Sequence, residues 1–263
     1  ALVRKKLLGV LSLLADFADQ YKDLPALAYT HLQPAQLTTV GKRATLWLNE
    51  LYMDYGEVTH RLENLALLGS KGTTGTQASL MELFAGDETK IRNVENRITN
   101  EMGMQQTVQI SGQTYSRKVD YYVLTALSGL AQSASKFAND LRILQNFKEM
   151  EEPFEKNQIG SSAMPYKRNP MRAERVAALA RFVIANAQNG AQTAAEQWFE
   201  RTLDDSANKR IAVAAGFLAV DAIPNLYIHI ASGMLGYSKA PEKRPAAEPS
   251  FMATENILMR TAL

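Results

Sequence analysis

The densest gathering of reactive side chains in the sequence is Gly160-Ser161-Ser162-Ala163-Met164-Pro165-Tyr166-Lys167-Arg168-Asn169-Pro170, with Glu174 and Arg175 just beyond. Two cations and an amide stand beside two hydroxyls, and Pro170 sits where a helix would begin. A surface loop with helix-capping serines would account for the hydroxyls but not for the cations next to them. A second polar stretch, Tyr29–Gln36, holds His31 shortly before Pro34 and ahead of a long apolar pattern. Imidazole is the side chain whose ordinary pKa suits proton transfer near neutrality. Taken alone, such a histidine is more often structural than catalytic; His60 and His229, inside helical patterns, read as structural. Two more runs, Lys71–Gln77 and Ser111–Lys118, mix glycine, hydroxyl and cationic residues that could turn N–H groups toward an anion. Turn chemistry explains both equally well, and neither has the spacing of a Walker loop or a dinucleotide fingerprint.

These polar islands interrupt helices, and the helices must position them. No proline occurs between Pro34 and Pro153. Leu48, Leu51, Tyr55, Val58, Leu62 and Leu65 step by three and four, as do Val123, Leu127, Leu130, Ala134, Phe137, Leu141 and Leu144. The spacing predicts two long helices with continuous apolar seams. A shorter helix should start after Asp87 as N-cap, run through Ile91, Val94 and Ile98, and stop at Gly103. Leu7, Val10, Leu11, Leu14 and Phe17 mark an opening helix, and 171–188 and 206–235 mark two more, the last kinked at Pro224. The Ala-rich stretches 176–180 and 211–215 would let helices approach closely, within the chain or between copies. No alternating segment is long enough to argue for a sheet. The expected fold is all-α, an elongated bundle of long helices: residues 1–237 as a central helical-bundle domain, 238–263 as a Pro/Ala/Lys-rich connector and the start of a truncated C-terminal domain.

Bulk properties narrow the chemistry further. Across 263 residues, 29 basic side chains face 27 acidic ones, a formal charge of +2. That balance provides no global field for nucleic acid or an anionic membrane, so an anionic ligand needs a local cluster. With no cysteine, disulfides, thiolate nucleophiles and Cys-based zinc sites are excluded. No uninterrupted apolar run approaches membrane-span length and no signal-peptide pattern opens the chain, so the expectation is a cytoplasmic protein. An Ala in place of an initiator Met suggests a fragment.

Gly160–Pro170 closely resembles the signature loop of the fumarase/aspartase superfamily, Gly-Ser-Ser-x-Met-Pro-x-Lys-x-Asn-Pro. Within it, Lys167-Arg168-Asn169-Pro170 is similar to the adenylosuccinate lyase family, as are 30–43, 71–79, 111–120, 198–206 with Arg210, and 251–256. The resemblance implies a homotetramer whose central domains pool their long helices and whose active sites are each assembled from three subunits. It implies cleavage of adenylosuccinate to AMP and fumarate, and of the related succinyl-aminoimidazole-carboxamide ribotide, with no metal or organic cofactor. It maps the general acid onto His31, the general base onto Ser161, and stabilisation of the nascent fumarate onto Lys167 and Asn169. Thr30, Gln113, Arg175, Arg201, Ser206 and Arg210 fall at substrate-contacting positions, the later ones near the nucleotide phosphate. Members of the family carry an N-terminal domain with another active-site histidine and a C-terminal helical domain, neither of which this sequence matches. A sister lyase releasing fumarate from another amino-linked succinate, such as an argininosuccinate lyase, and a non-catalytic helical scaffold are the alternatives.

The implied chemistry is coherent with these residue types. β-Elimination needs a base at carbon, an acid at the leaving nitrogen, and donors where charge builds on a carboxylate. A serine base needs nearby positive charge, and the N-terminus of the helix after Pro170 is expected to help supply it. Gly160 is expected to act as a hinge for loop closure.

Overall fold

The computed structural model describes residues 1–155, 157–160, 163–164, 166–237 and 258–260. The long helices among them are α1 (Leu2–Gln20), α2 (Val40–Glu63), α5 (Lys118–Asn146), α6 (Met171–Ala195) and α7 (Asp205–Ala231), with short α3 (Ala78–Leu83) and α4 (Glu88–Glu101). The all-α expectation holds for the core, with a correction. A two-stranded antiparallel hairpin, β1 (Pro25–Thr30) and β2 (Gln33–Thr39), precedes α2, and two-residue strands β3 (Met150–Glu151) and β4 (Leu235–Gly236) pair with each other. The hairpin has no long alternating pattern because β2 is mostly exposed and has no buried face to encode.

The chain divides into two compact units, each of which takes parts of the long helices. One comprises residues 2–55, 130–181 and 220–263. Its core is the face of α1 read from sequence, Leu7, Val10, Leu11, Leu14 and Phe17, all buried. The α5 seam is also as expected: Leu130, Ala134, Phe137, Leu141 and Leu144 are buried. On α2 the stripe differs. The deepest residues are Val40, Ala44, Trp47 and Leu51, while Leu48 and Tyr55 of the expected seam are half-buried. Trp47 meets Phe137 edge-on, Phe137 stacks on Tyr227 at 4.0 Å, and the Trp47 indole donates to Asp140 at 2.8 Å. An aromatic anchor with a polar handle thus outcompetes a leucine seam for the interior. Ala173, Val176, Ala177 and Ala180 are buried too, so the first Ala-rich stretch belongs to the core of the chain itself.

The other unit comprises Ala1 and residues 56–129 and 182–219. Here α4 starts as expected: the Asp87 carboxylate accepts from the N–H groups of Thr89 and Lys90. Gly103 follows its last turn with φ 66°. Asn186 of α6 donates to the Ala212 carbonyl of α7 at 2.7 Å, a buried tie between the two helices.

The reading that no apolar run nears membrane-span length needs amendment for α7, which is long and apolar enough to cross a membrane by length and composition. Its polar contacts are those of a packed helix. Asp205 is buried among arginines, and Asp221 pairs with Lys6 of α1 at 2.6 Å.

Candidate active site

His31, which the sequence places shortly before Pro34 and a long apolar pattern, sits at the tip of the β1–β2 hairpin. Thr30 pairs with Gln33, which leaves His31 and Leu32 as the two-residue turn. Both have left-handed backbone, φ 54° and 58°, the type I′ arrangement that suits the twist of paired strands. Such turns favour Asn-Gly; a His-Leu pair there costs about 1 kcal/mol or more per residue. The imidazole is exposed at the apex with Thr30 beside it. The base of the hairpin is fixed by charge. Tyr29 donates to Glu149 Oε1 at 2.8 Å, and Arg43 of α2 donates to Glu149 Oε2 at 3.1 Å and to the Leu27 carbonyl at 2.6 Å.

In the loop before α6, Ser161 lies outside the described residues, as do Ser162 and Pro165. Lys167 is exposed and has no side-chain partner among the described residues. Asn169 donates to the Gly160 carbonyl at 2.9 Å and so closes the loop on itself. The structure gives Gly160 a different role from a hinge: a Cβ there would collide with the Lys167 carbonyl, so glycine lets two backbone strands of the loop touch. Arg168 lies against the Phe154 ring and pairs with Glu151 at 3.0 Å. Arg175, the fifth residue of α6, is exposed.

The start of α6 also corrects an expectation. Its Arg172 and Ala173 N–H groups donate to the two oxygens of Glu152, at 3.1 and 3.0 Å. This helix terminus is occupied by a carboxylate of the chain itself, not left open to favour an alkoxide at Ser161. Burial pushes the Glu152 carboxyl above its ordinary pKa, and those two N–H groups pull it back.

Gln113, Arg201, Ser206 and Arg210 lie in the other unit. Gln113 donates its backbone N–H to the Glu200 carbonyl at 2.9 Å, and Gly112 allows the approach, since a Cβ would stand 2.5 Å from that same oxygen. Arg201 pairs with Asp205 at 3.1 Å, and the buried Arg117 holds the other Asp205 oxygen at 2.7 Å. Arg117 Nε points off the hydrogen-bonding direction, so that contact is ionic. Asp120 accepts from the Tyr115 hydroxyl at 2.9 Å, and Lys209 lies 2.5 Å from the same hydroxyl. Ser206 is half-buried and Arg210 exposed, one turn apart on α7. The Lys71 ammonium, in the first Gly/Thr run, donates to the carbonyls of Leu68 and Val108. It therefore secures a turn.

Sequence reasoning missed the carboxylates that hold these segments: Glu149, Glu151, Glu152 and Asp205, each at most 8% exposed. The signal available was a crowded acidic run, Glu149-Met150-Glu151-Glu152, directly after a long helix. Such runs ordinarily read as solvated.

The comparisons with known proteins come down on one side. A family model described as lyase matches residues 2–185. The adenylosuccinate lyase of Saccharomyces cerevisiae is 52% identical over 254 residues, 97% of this chain and 53% of the relative. That of Schizosaccharomyces pombe is 48% identical over the same shares. The chain spans about half the length of the curated relatives it matches. Among solved structures, a fumarate lyase from Mesorhizobium sp. BNC1 superposes with a TM-score of 0.83 at 22% identity, over 100% of this chain and 56% of that one. A 3-carboxy-cis,cis-muconate lactonizing enzyme from Pseudomonas putida reaches 0.85 at 21%, over 99% and 56%. At such identity these two share the fold alone. With the family match running through the hairpin, the α5 seam and the 160–170 loop, the chain belongs to the lyase family.

Proposed function

We propose that this chain is the helical core of an adenylosuccinate lyase, residues 1–237 forming its central bundle and 238–263 leading toward a C-terminal domain. The enzyme eliminates fumarate from adenylosuccinate, giving AMP, and from succinyl-aminoimidazole-carboxamide ribotide, in purine biosynthesis in the cytoplasm. The observation that carries the reading is the 52% identity over 97% of the chain to a relative of that name, with the 160–170 loop inside the match.

Ser161 takes a proton from the succinyl β-carbon. The electron pair left behind becomes the double bond of fumarate as the C–N bond breaks, and His31 protonates the departing purine nitrogen. Lys167 and Asn169 stabilise charge on the carboxylate as it builds. An exposed imidazole at a hairpin apex and an exposed Lys167 ammonium with no side-chain partner among the described residues suit groups that meet substrate. Thr30, Gln113 and Arg175 contact the substrate, while Arg201, Ser206 and Arg210 hold the phosphate. Arg201 is pre-aimed by Asp205, which lowers the ordering cost of binding. No metal or cofactor takes part. The active form is a homotetramer with shared active sites. Exposed apolar side chains on the helices support assembly, above all Ile211 and Leu218 on α7, 72% and 74% exposed.

The test is turnover in a full-length context, followed as AMP and fumarate release. Ser161→Ala should bind adenylosuccinate with little change yet fail to convert it. Lys167→Ala should lose roughly a hundred- to a thousandfold in kcat. Near-normal turnover in either variant would overturn the assigned role, and no AMP from the unsubstituted enzyme would leave only a helical scaffold.

A further inference from the structure

Three buried carboxylates on one four-residue segment each grip a different part of the candidate site. The segment opens where α5 ends in a left-handed residue, Lys148 at φ 59°. Lys148 N–H bonds the Gln145 carbonyl and Glu149 N–H the Leu144 carbonyl, a Schellman closure that turns the chain sharply. Met150, fully buried, then anchors the short pairing with β4. Alternation along the extended backbone sends Glu149 and Glu151 to one side and Glu152 to the other.

Glu149 binds Tyr29, two residues before His31, and Arg43 behind the hairpin. Glu151 binds Arg168, between Lys167 and Asn169, and also the Tyr237 hydroxyl. Glu152 accepts the first free N–H groups of α6, the helix that carries Arg175. Burying three carboxylates within four residues is costly, and an apolar segment would stabilise the same fold as well or better. Their common feature is the choice of partners: the hairpin, the signature loop and the helix that follows it.

We propose that Glu149, Glu151 and Glu152 are positioning residues, a carboxylate hub that sets the His31 hairpin, the 160–170 loop and the start of α6 in one register. The hub rests on the lyase reading for its catalytic meaning, but its geometry can be tested without it. Rigid placement matters because a displacement of about 1 Å at a reacting group can cost on the order of a hundredfold in rate.

The experiment uses Glu149→Gln and Glu151→Gln in the full-length enzyme, changes that keep size and remove charge. Each should lower kcat about ten- to a hundredfold with KM for adenylosuccinate within about threefold. Combining Glu151→Gln with Arg168→Gln should cost little more than either alone, because both remove one interaction. In parallel, amide hydrogen exchange should quicken over 25–39 in Glu149→Gln and over 166–170 in Glu151→Gln. Full turnover in both variants overturns the proposal. So does exchange that rises over the whole chain in either variant, which would mark a merely structural role. If the unsubstituted enzyme releases no AMP, the lyase reading fails, and the exchange pattern alone decides whether the hub stands.

Discussion

Asp54 illustrates how a single buried charge writes itself into stability. It sits half-buried on α2, and burial raises its carboxyl above the ordinary 3.8; a Ser133 hydrogen bond works against that shift and Glu50 adds to it. Its Oδ2 has no hydrogen-bond partner among the described residues. A raised folded-state pKa means that the native chain binds more protons than the unfolded one from about pH 3.8 up to the shifted value, so stability falls as pH rises through that window. Asp54→Asn should therefore be more stable than the parent at pH 7, with a melting temperature higher by about 2–4 °C. The advantage should shrink as the pH drops toward 3.8. An equal advantage at pH 7 and pH 3.5 would show that the charge is not the cause. Nothing in the local sequence marks Asp54, because the cost comes from what packs over it.

At the scale of the element, the hairpin is the instructive case. Its turn spends two left-handed residues to lift an imidazole to an exposed apex, and strain kept at such a place is a signature of use rather than of folding. Leu32, 64% exposed and without a packing role to lose, is the position where strain can be relieved. Leu32→Gly should stabilise the turn by about 1 kcal/mol, read as slower amide exchange across 25–39. Unchanged or faster exchange would mean that the turn is held from outside. The helices were largely legible: α1, α4 and α5 announce themselves through three-and-four spacing, the Asp87 cap and the Gly103 stop. The hairpin was not, since strands with little buried face leave no alternation to read. The α2 stripe was misread because Trp47 and Leu48 are equally apolar on paper.

For the whole molecule the question is what covers the apolar stripe of α7. Ile211 and Leu218 are two turns apart on one face, and packing within the chain leaves both exposed. If the proposed tetramer forms through that face, Leu218→Glu should yield a species smaller than the parent in sedimentation velocity at the same concentration. A parent-sized particle would place the interface elsewhere.

The sequence by itself determined the helical class, the identity of most helices and the family, because periodicity and an ordered motif are properties of neighbours along the chain. It also marked the candidate residues His31, Lys167 and Asn169 by type and context, and Arg201 through the family resemblance. Only the tertiary structure decided how they are held: His31 on a strained turn, Gly160 against a carbonyl, Arg201 on Asp205, and the acidic run after α5 turned inward. The first three are local contacts that leave no periodicity to read, whereas the acidic run depends on partners far along the chain, as in the pairing of Tyr29 with Glu149. A one-dimensional pattern carries no record of which distant group will neutralise a buried charge.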